Sequence, residues 1–157
     1  MANGYLDNFN QVEKNLYIGD IVTSINYKTL TEYNITHILV CGEELSCRYP
    51  NEFTYMHLHI RDTPSTSIRE HFEEVFMFIS KGIRKGSVLV HCAQARSRSV
   101  SMVLSYLMRS RQIKYKKALE ILKRNHPQAE PNHGFRTQLI QYEKEVAKSS
   151  GCMSTIF

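Results

Sequence analysis

A short apolar run, Ser87-Val88-Leu89-Val90, leads directly into His91-Cys92-Ala93-Gln94-Ala95-Arg96-Ser97-Arg98-Ser99. Beyond it Val100, Val103, Leu104, Leu107 and Met108 recur at the spacing of one helical face. Strand, tight connection and helix in that order place the connection over the helix N-terminus. Backbone N–H groups there lack intrahelical acceptors, and the helix dipole favours negative charge. A cysteine and an arginine sit in that connection. Helix N-termini and nearby cations favour thiolate over thiol, and the same surroundings bind oxyanions. The stretch therefore points to phosphate chemistry on a cysteine.

The 157-residue chain is read around it as one domain, residues 1–157, with 149–157 a flexible tail. A hydrophobic fraction of 42% and a charged fraction of 22% suit a soluble globular protein, and no apolar run reaches membrane-spanning length. The net charge of +5 suits anionic partners without naming one. Four cysteines without zinc spacing, and no signal-peptide pattern, predict a reducing compartment, the cytoplasm first, with the nucleus as the alternative. Ala2 stands where myristoylation needs glycine, and Cys152 lies too far from Phe157 for a prenylation box.

Leu16-Tyr17-Ile18-Gly19 reads as an edge strand, and Tyr27, Leu30 and Tyr33 as a short helix. Residues 35–41, rich in β-branched side chains, predict a buried strand, 42–51 a polar loop and 53–60 a further strand ending at Arg61-Asp62-Thr63-Pro64. Ser67 and Glu70 have capping-box spacing for a helix with Ile68, Phe72, Val75, Phe76 and Ile79 inward, ending at Lys81-Gly82. Ala118, Leu119 and Leu122 mark another helix. Lys114, Lys116, Lys117, Lys123 and Arg124 run along it as a basic stripe, read as a solvated face or a docking surface for an acidic partner. Asn132 caps a last helix with Phe135, Leu139, Tyr142 and Val146 on one side and Gly151 beyond its end. A βαβ unit through Asp62 and Cys92 predicts an α/β sheet covered by helices on both faces, with ligands at the C-terminal ends of the strands. Cys41, Asp62 and Cys92 each follow a strand and gather at that edge if the strands are parallel neighbours.

At His-Cys-x5-Arg-Ser the chain resembles the cysteine-dependent protein tyrosine phosphatase superfamily, and in detail its small, atypical dual-specificity phosphatases. Leu16-Tyr17-Ile18-Gly19, Asn34-Ile35-Thr36-His37-Ile38-Leu39, Ser105-Tyr106-Leu107-Met108 and Pro131-Asn132-His133-Gly134-Phe135 with Gln138-Leu139 and Tyr142-Glu143 are similar to family segments, in family order. The resemblance implies a central, mostly parallel sheet of about five strands flanked by helices. It departs at Gln94-Ala95, where the family usually has Ala-Gly. Glycine eases a tight, anion-facing backbone, so Ala95 is expected to add strain or narrow the pocket of a loop that still works.

Cys92 is then the expected nucleophile. Arg98 is expected to hold two phosphoryl oxygens as a bidentate fork that lysine cannot copy, and the amides of Ala93, Gln94, Ala95, Arg96, Ser97 and Arg98 to complete the anion nest. Ser99 is expected to hydrogen-bond the departing thiolate, and His91 to support the loop. Asp62 matches the family's general acid and then activates water as carboxylate; Glu43, Glu44 and Glu70 are the substitutes to weigh. Cys41 could form a reversible disulfide with Cys92, or be a small buried strand residue.

The implied activity is hydrolysis of phosphotyrosine and phosphoserine/threonine in proteins through a phosphocysteine. The same mechanism on phosphoinositides, other phospholipids or RNA 5′-phosphates is an alternative, since Arg96 adds a cation that otherwise points to solvent. A non-catalytic phosphate-binding module is another. The expected partners are phosphorylated proteins, with no nucleic acid, no membrane insertion, a monomeric state and neither cofactor nor metal. The length leaves no room for a separate kinase-docking domain or an N-terminal phosphotyrosine-recognition segment, and the pocket is expected to be shallow.

Overall fold

The computed structural model describes residues 6–153, with side chains up to Ser149. Its elements in chain order are β1 (Asn10–Glu13), β2 (Leu16–Gly19), α1 (Ile21–Ser24), α2 (Tyr27–Glu32), β3 (Ile35–Cys41) and β4 (Thr54–Leu58). After these come a 3₁₀ turn (Arg69–His71), α3 (Phe72–Lys85), β5 (Ser87–His91), α4 (Arg98–Arg111), α5 (Tyr115–Asn125) and α6 (His133–Met153). The strands form one sheet in the order β1-β2-β5-β3-β4. Only the β1–β2 pair is antiparallel.

β5 is buried at every position and β3 at all but Thr36, as expected of central strands covered on both faces. α1 and α2 pack on β2, β3 and β5; α3 and α4 also pack on the sheet, and α5 and α6 pack on α4. Each fully buried Ile, Leu or Val contributes on the order of 1.5–3 kcal/mol. Cys41 pairs with Leu58 while Val40 and Gly19 both pair with His91. The C-terminal ends of β2, β3, β4 and β5 therefore emerge along one edge. β4 and β5 are not neighbours, because β3 lies between them.

Several expectations change. Leu16–Gly19 is an inner strand, since β1 adds a polar edge of which only Val12 is buried. The Ser67–Glu70 capping box does not form, and the first turn has no side-chain cap; the adjacent amides of Ile68 and Arg69 donate to Gln138 Oε1, at 2.8 and 3.1 Å. The helix that follows does not stop at Gly82 but runs to Lys85; Gly82 is buried with no room for a side chain, since a Cβ would lie 2.4 Å from Val88 Cγ2. α4 is buried all round from Arg98 to Met108 rather than on one face. α6 continues through Gly151 to Met153, so the expected tail is helical that far; residues 154–157 lie outside the described residues. Asn132 does cap α6, accepting from the Phe135 amide at 2.9 Å. Among the described residues no helix is long and apolar enough to cross a membrane.

Candidate active site

Cys92 is the first residue after β5 and is 3% exposed; its Sγ lies 3.1 Å from Ser99 Oγ in the first turn of α4. Residues 93–97 loop between these elements. Among the described residues no carbonyl or side chain accepts a hydrogen bond from the amides of residues 93–98. Buried or pocket-facing amides without a partner are rare, because each costs free energy unless something accepts from it. Here they surround a cavity of about 220 Å³ lined by Asp62, Cys92, Ala93, Gln94, Arg96, Ser97 and Arg98.

The loop's irregular residue is strained as expected. Ala95 has φ 55°, in the left-handed region, which costs an L-residue about 1–2 kcal/mol. It does not narrow the cavity, because it is wholly buried outside it. His126 holds it there: its Nε2 donates to the Ala95 carbonyl at 2.6 Å, with Nδ1 2.6 Å from Asn10 Oδ1. Burial lowers the pKa of His126, against the hydrogen bond to the Ala95 carbonyl, which raises it.

Arg98 reaches back under the loop with its side chain only 9% exposed. Nη1 donates to Glu44 Oε2 at 2.8 Å and to the Ile60 carbonyl at 3.4 Å, while Nη2 lies 2.6 Å from Glu44 Oε1. That head-on pair takes one N–H from each terminal nitrogen. Nε–H and the second Nη2–H remain on the other edge as a parallel fork for an anion. The hydrogen bond from Arg98 holds the Glu44 carboxyl below its usual range. Gly42 makes the approach possible, since a Cβ there would lie 2.6 Å from Arg98 Nη1.

Asp62 lines the same cavity as Cys92. Its Oδ1 accepts from Asn132 Nδ2 at 2.9 Å, and its segment is strapped to α6. Gln138 Nε2 donates to the Thr66 carbonyl at 2.9 Å, and a Cβ on Gly134 would come within 2.0 Å of the Pro64 carbonyl oxygen. None of the substitute carboxylates lines the cavity: Glu43 pairs with Arg61 at 2.6 Å, Glu70 with His71 at 3.5 Å and Glu44 with Arg98.

His91 is buried behind the loop, its Nδ1 donating weakly to the Cys92 carbonyl at 3.4 Å and its Nε2 without a partner. Burial pushes its pKa down to about 4, so the ring is neutral at physiological pH. Cys41 ends the strand beside β5 and is fully buried as a free thiol. Burial, and secondarily the proximity of Cys92, raise its pKa well above the ordinary thiol range, against the influence of Arg98.

Arg96 is exposed, but it does not point freely into solvent: it pairs with Glu130 at 2.5 Å. The Glu130 amide also donates to the Arg96 carbonyl at 2.9 Å, and the Asn132 amide to Ser97 Oγ at 2.9 Å. Asn132 thus ties the loop, the Asp62 segment and the start of α6 together. Sequence reasoning recognised it only as a helix cap, and missed His126 and Glu44's hold on Arg98. Their partners lie 31 to 116 residues away in the chain. Among the described residues no three His, Cys, Asp or Glu side chains converge as metal ligands.

Residues 16–145 match the family described as dual specificity phosphatase, catalytic domain. Dual specificity protein phosphatase 1B of Arabidopsis thaliana is 36% identical over 137 residues, covering 87% of this chain and 82% of the relative. Among solved structures, a mouse putative dual specificity phosphatase complexed with zinc tungstate superposes with a TM-score of 0.89 at 26% identity, over 96% of this chain and 95% of that one. DUSP15 superposes with a TM-score of 0.84 at 30% identity, over 96% and 97% of the two chains.

Proposed function

This chain belongs to the dual-specificity phosphatases and is a protein phosphatase; from that premise we propose that it hydrolyses phosphotyrosine and phosphoserine/threonine through a phosphocysteine on Cys92. The observation that carries the reading is the thiol of Cys92 at a cavity walled by unpartnered amides and lined also by Arg98 and Asp62. Cys92 attacks phosphorus while Arg98 and the amides of residues 93–98 hold the three non-bridging oxygens. Asp62 gives its proton to the departing alkoxide or phenoxide. The resulting carboxylate then takes a proton from the water that attacks the phosphocysteine, and Ser99 Oγ hydrogen-bonds the thiolate as it leaves. Glu44 acts through Arg98 as a positioning residue, and His91 as a neutral prop behind the loop.

The test is hydrolysis of a small aryl phosphate. Cys92→Ser should abolish it, and a variant that keeps wild-type turnover overturns the reading. Asp62→Asn should lower turnover by roughly 10²-fold or more and remove the limb of the pH–rate profile due to the acid; an unaltered profile removes Asp62 from that role. Phosphopeptides, phosphoinositide vesicles and triphosphate RNA assayed side by side decide the substrate class, with phosphopeptides expected to be fastest. Tungstate, with which the related mouse protein was complexed, is expected to compete as a tetrahedral oxyanion.

For Cys41 two readings stand, a small buried strand residue, which its raised thiol pKa favours, and a resolving thiol, which its place beside Cys92 favours. In the second, after peroxide converts the Cys92 thiolate to sulfenic acid, Cys41 sulfur attacks it, releasing water and forming a disulfide that thiols reduce again. Peptide mapping after mild peroxide should then find a Cys41–Cys92 bridge; over-oxidised Cys92 without that bridge eliminates the resolving role.

A further inference from the structure

A second cavity, about 1000 Å³, opens from the first and shares Asp62, Gln94, Arg96 and Ser97 with it. Its walls are two helix faces. On α5 they are Lys116, Leu119 and Lys123, spaced i, i+3, i+7; on α6 they are Arg136, Ile140 and Glu143, spaced i, i+4, i+7. The basic stripe of α5 is thereby divided. Lys117 and Arg124 turn outward and both pair with Glu120, at 3.6 and 3.8 Å, whereas Lys116 and Lys123 line the groove.

The groove's own carboxylates are engaged. Glu143 accepts from the Tyr115 amide at 2.8 Å, Asp62 accepts from Asn132, and Glu130 pairs with Arg96. Lys123 adds a weaker pull that helps hold the Glu130 carboxyl low. Among the described residues Lys116, Lys123 and Arg136 have no carboxylate within ion-pair distance. Between them lie Leu119 and Ile140, the latter 41% exposed although it is a large aliphatic side chain. Three cations around an aliphatic floor complement a chain that carries both carboxylates and an apolar side chain.

We propose that this groove binds the polypeptide flanking the phosphorylated residue of the substrate, and selects flanks that carry acidic side chains together with an aliphatic one. The proposal rests on the phosphatase reading and adds a source of selectivity outside the phosphate cavity. Exposed ion pairs are individually weak, so three acting together should change kcat/KM by roughly tenfold.

The experiment compares two phosphopeptides that differ only in flanking glutamates against glutamines. Each is assayed on the wild-type chain and on Lys116→Glu/Lys123→Glu/Arg136→Glu, with an aryl phosphate as control. The wild type should prefer the acidic peptide by about tenfold at low salt, with the preference shrinking as salt rises. The triple variant should lose or invert it while hydrolysing the aryl phosphate as before, which also shows that the variant is folded. Equal rates on both peptides with aryl phosphate hydrolysis intact overturn the groove assignment and leave the phosphatase reading standing. No hydrolysis of the aryl phosphate by the wild type overturns the phosphatase reading itself. If the triple variant loses hydrolysis of phosphoinositide vesicles and not the peptide preference, the groove serves a lipid headgroup and the proposal is wrong.

Discussion

Arg96 in the loop and Arg98 at the start of α4 stand two residues apart, carry the same guanidinium and each contact one glutamate, yet they occupy opposite environments. Arg96 is 59% exposed and its partner Glu130 is 67% exposed. Arg98 is 9% exposed, with Glu44 on one edge of its guanidinium and the Ile60 carbonyl beside it. In water the Coulombic gain of a pair is largely offset by screening and side-chain entropy, and the net is about 0–1 kcal/mol. Glu44 is itself 50% exposed, but Arg98 is largely withdrawn from water, so it depends on its partner more than Arg96 does and the partner orients it. Both arginines are bonded; only burial makes the bond decisive. The deep arginine is accordingly held in one orientation, whereas the pair at the rim is only weakly held.

This contrast can be broken by experiment. Arg98→Lys should lower kcat/KM for an aryl phosphate by roughly 10²–10³-fold, the size expected for losing a preorganised donor pair; a loss below tenfold, read by steady-state kinetics, would mean the fork edge is not used. Acid should act first on the deep end. Unfolded chain protonates His91 from about pH 6.5 downward, whereas folded His91 stays neutral until about 4. Stability is therefore complete above that range and declines as pH falls through it, by up to about 3 kcal/mol from this residue. Denaturant titration at pH 7 and pH 4.5 measures the decline, and His91→Asn should flatten it.

Glu44→Gln keeps the shape but removes the charge that orients Arg98, and should weaken tungstate inhibition and raise KM by roughly tenfold, a loss equivalent to about 1.4 kcal/mol. An effect on kcat alone would contradict a positioning role. The smallest change belongs to the rim: Arg96→Ala should alter aryl phosphate turnover by less than about threefold, as befits an exposed pair. A hundredfold loss there would erase the distinction between the two arginines.

What could be read ahead of the structure followed from periodicity and local chemistry. Residues 35–41 form the predicted buried strand, and Asn132 caps the helix whose Phe135, Leu139, Tyr142 and Val146 are buried. Local rules failed where distant partners compete. Ser67 and Glu70 have capping spacing, but the helix start is held by a distant group, the Gln138 carboxamide, which accepts from the neighbouring Ile68 and Arg69 amides. Gly82 looked like a helix stop, but its missing side chain serves helix-on-sheet packing against Val88. β1 escaped notice because Asn10–Glu13 is polar and earns its place only as an edge beside β2.

The order of residues alone determined that a cysteine and an arginine share a strand-to-helix loop, because hydrophobic period and the helix N-terminus are properties of adjacent residues. It could not determine what holds that loop. Ala95 keeps its left-handed conformation against His126, Arg98 keeps its fork edge free against Glu44, and Asp62 lines the thiol's cavity because Asn132 and Gly134 seat its segment on α6. Each of those contacts joins residues far apart in the chain, and only the packed sheet and helices bring them together, since burial, not sequence spacing, decides which polar groups must find one another.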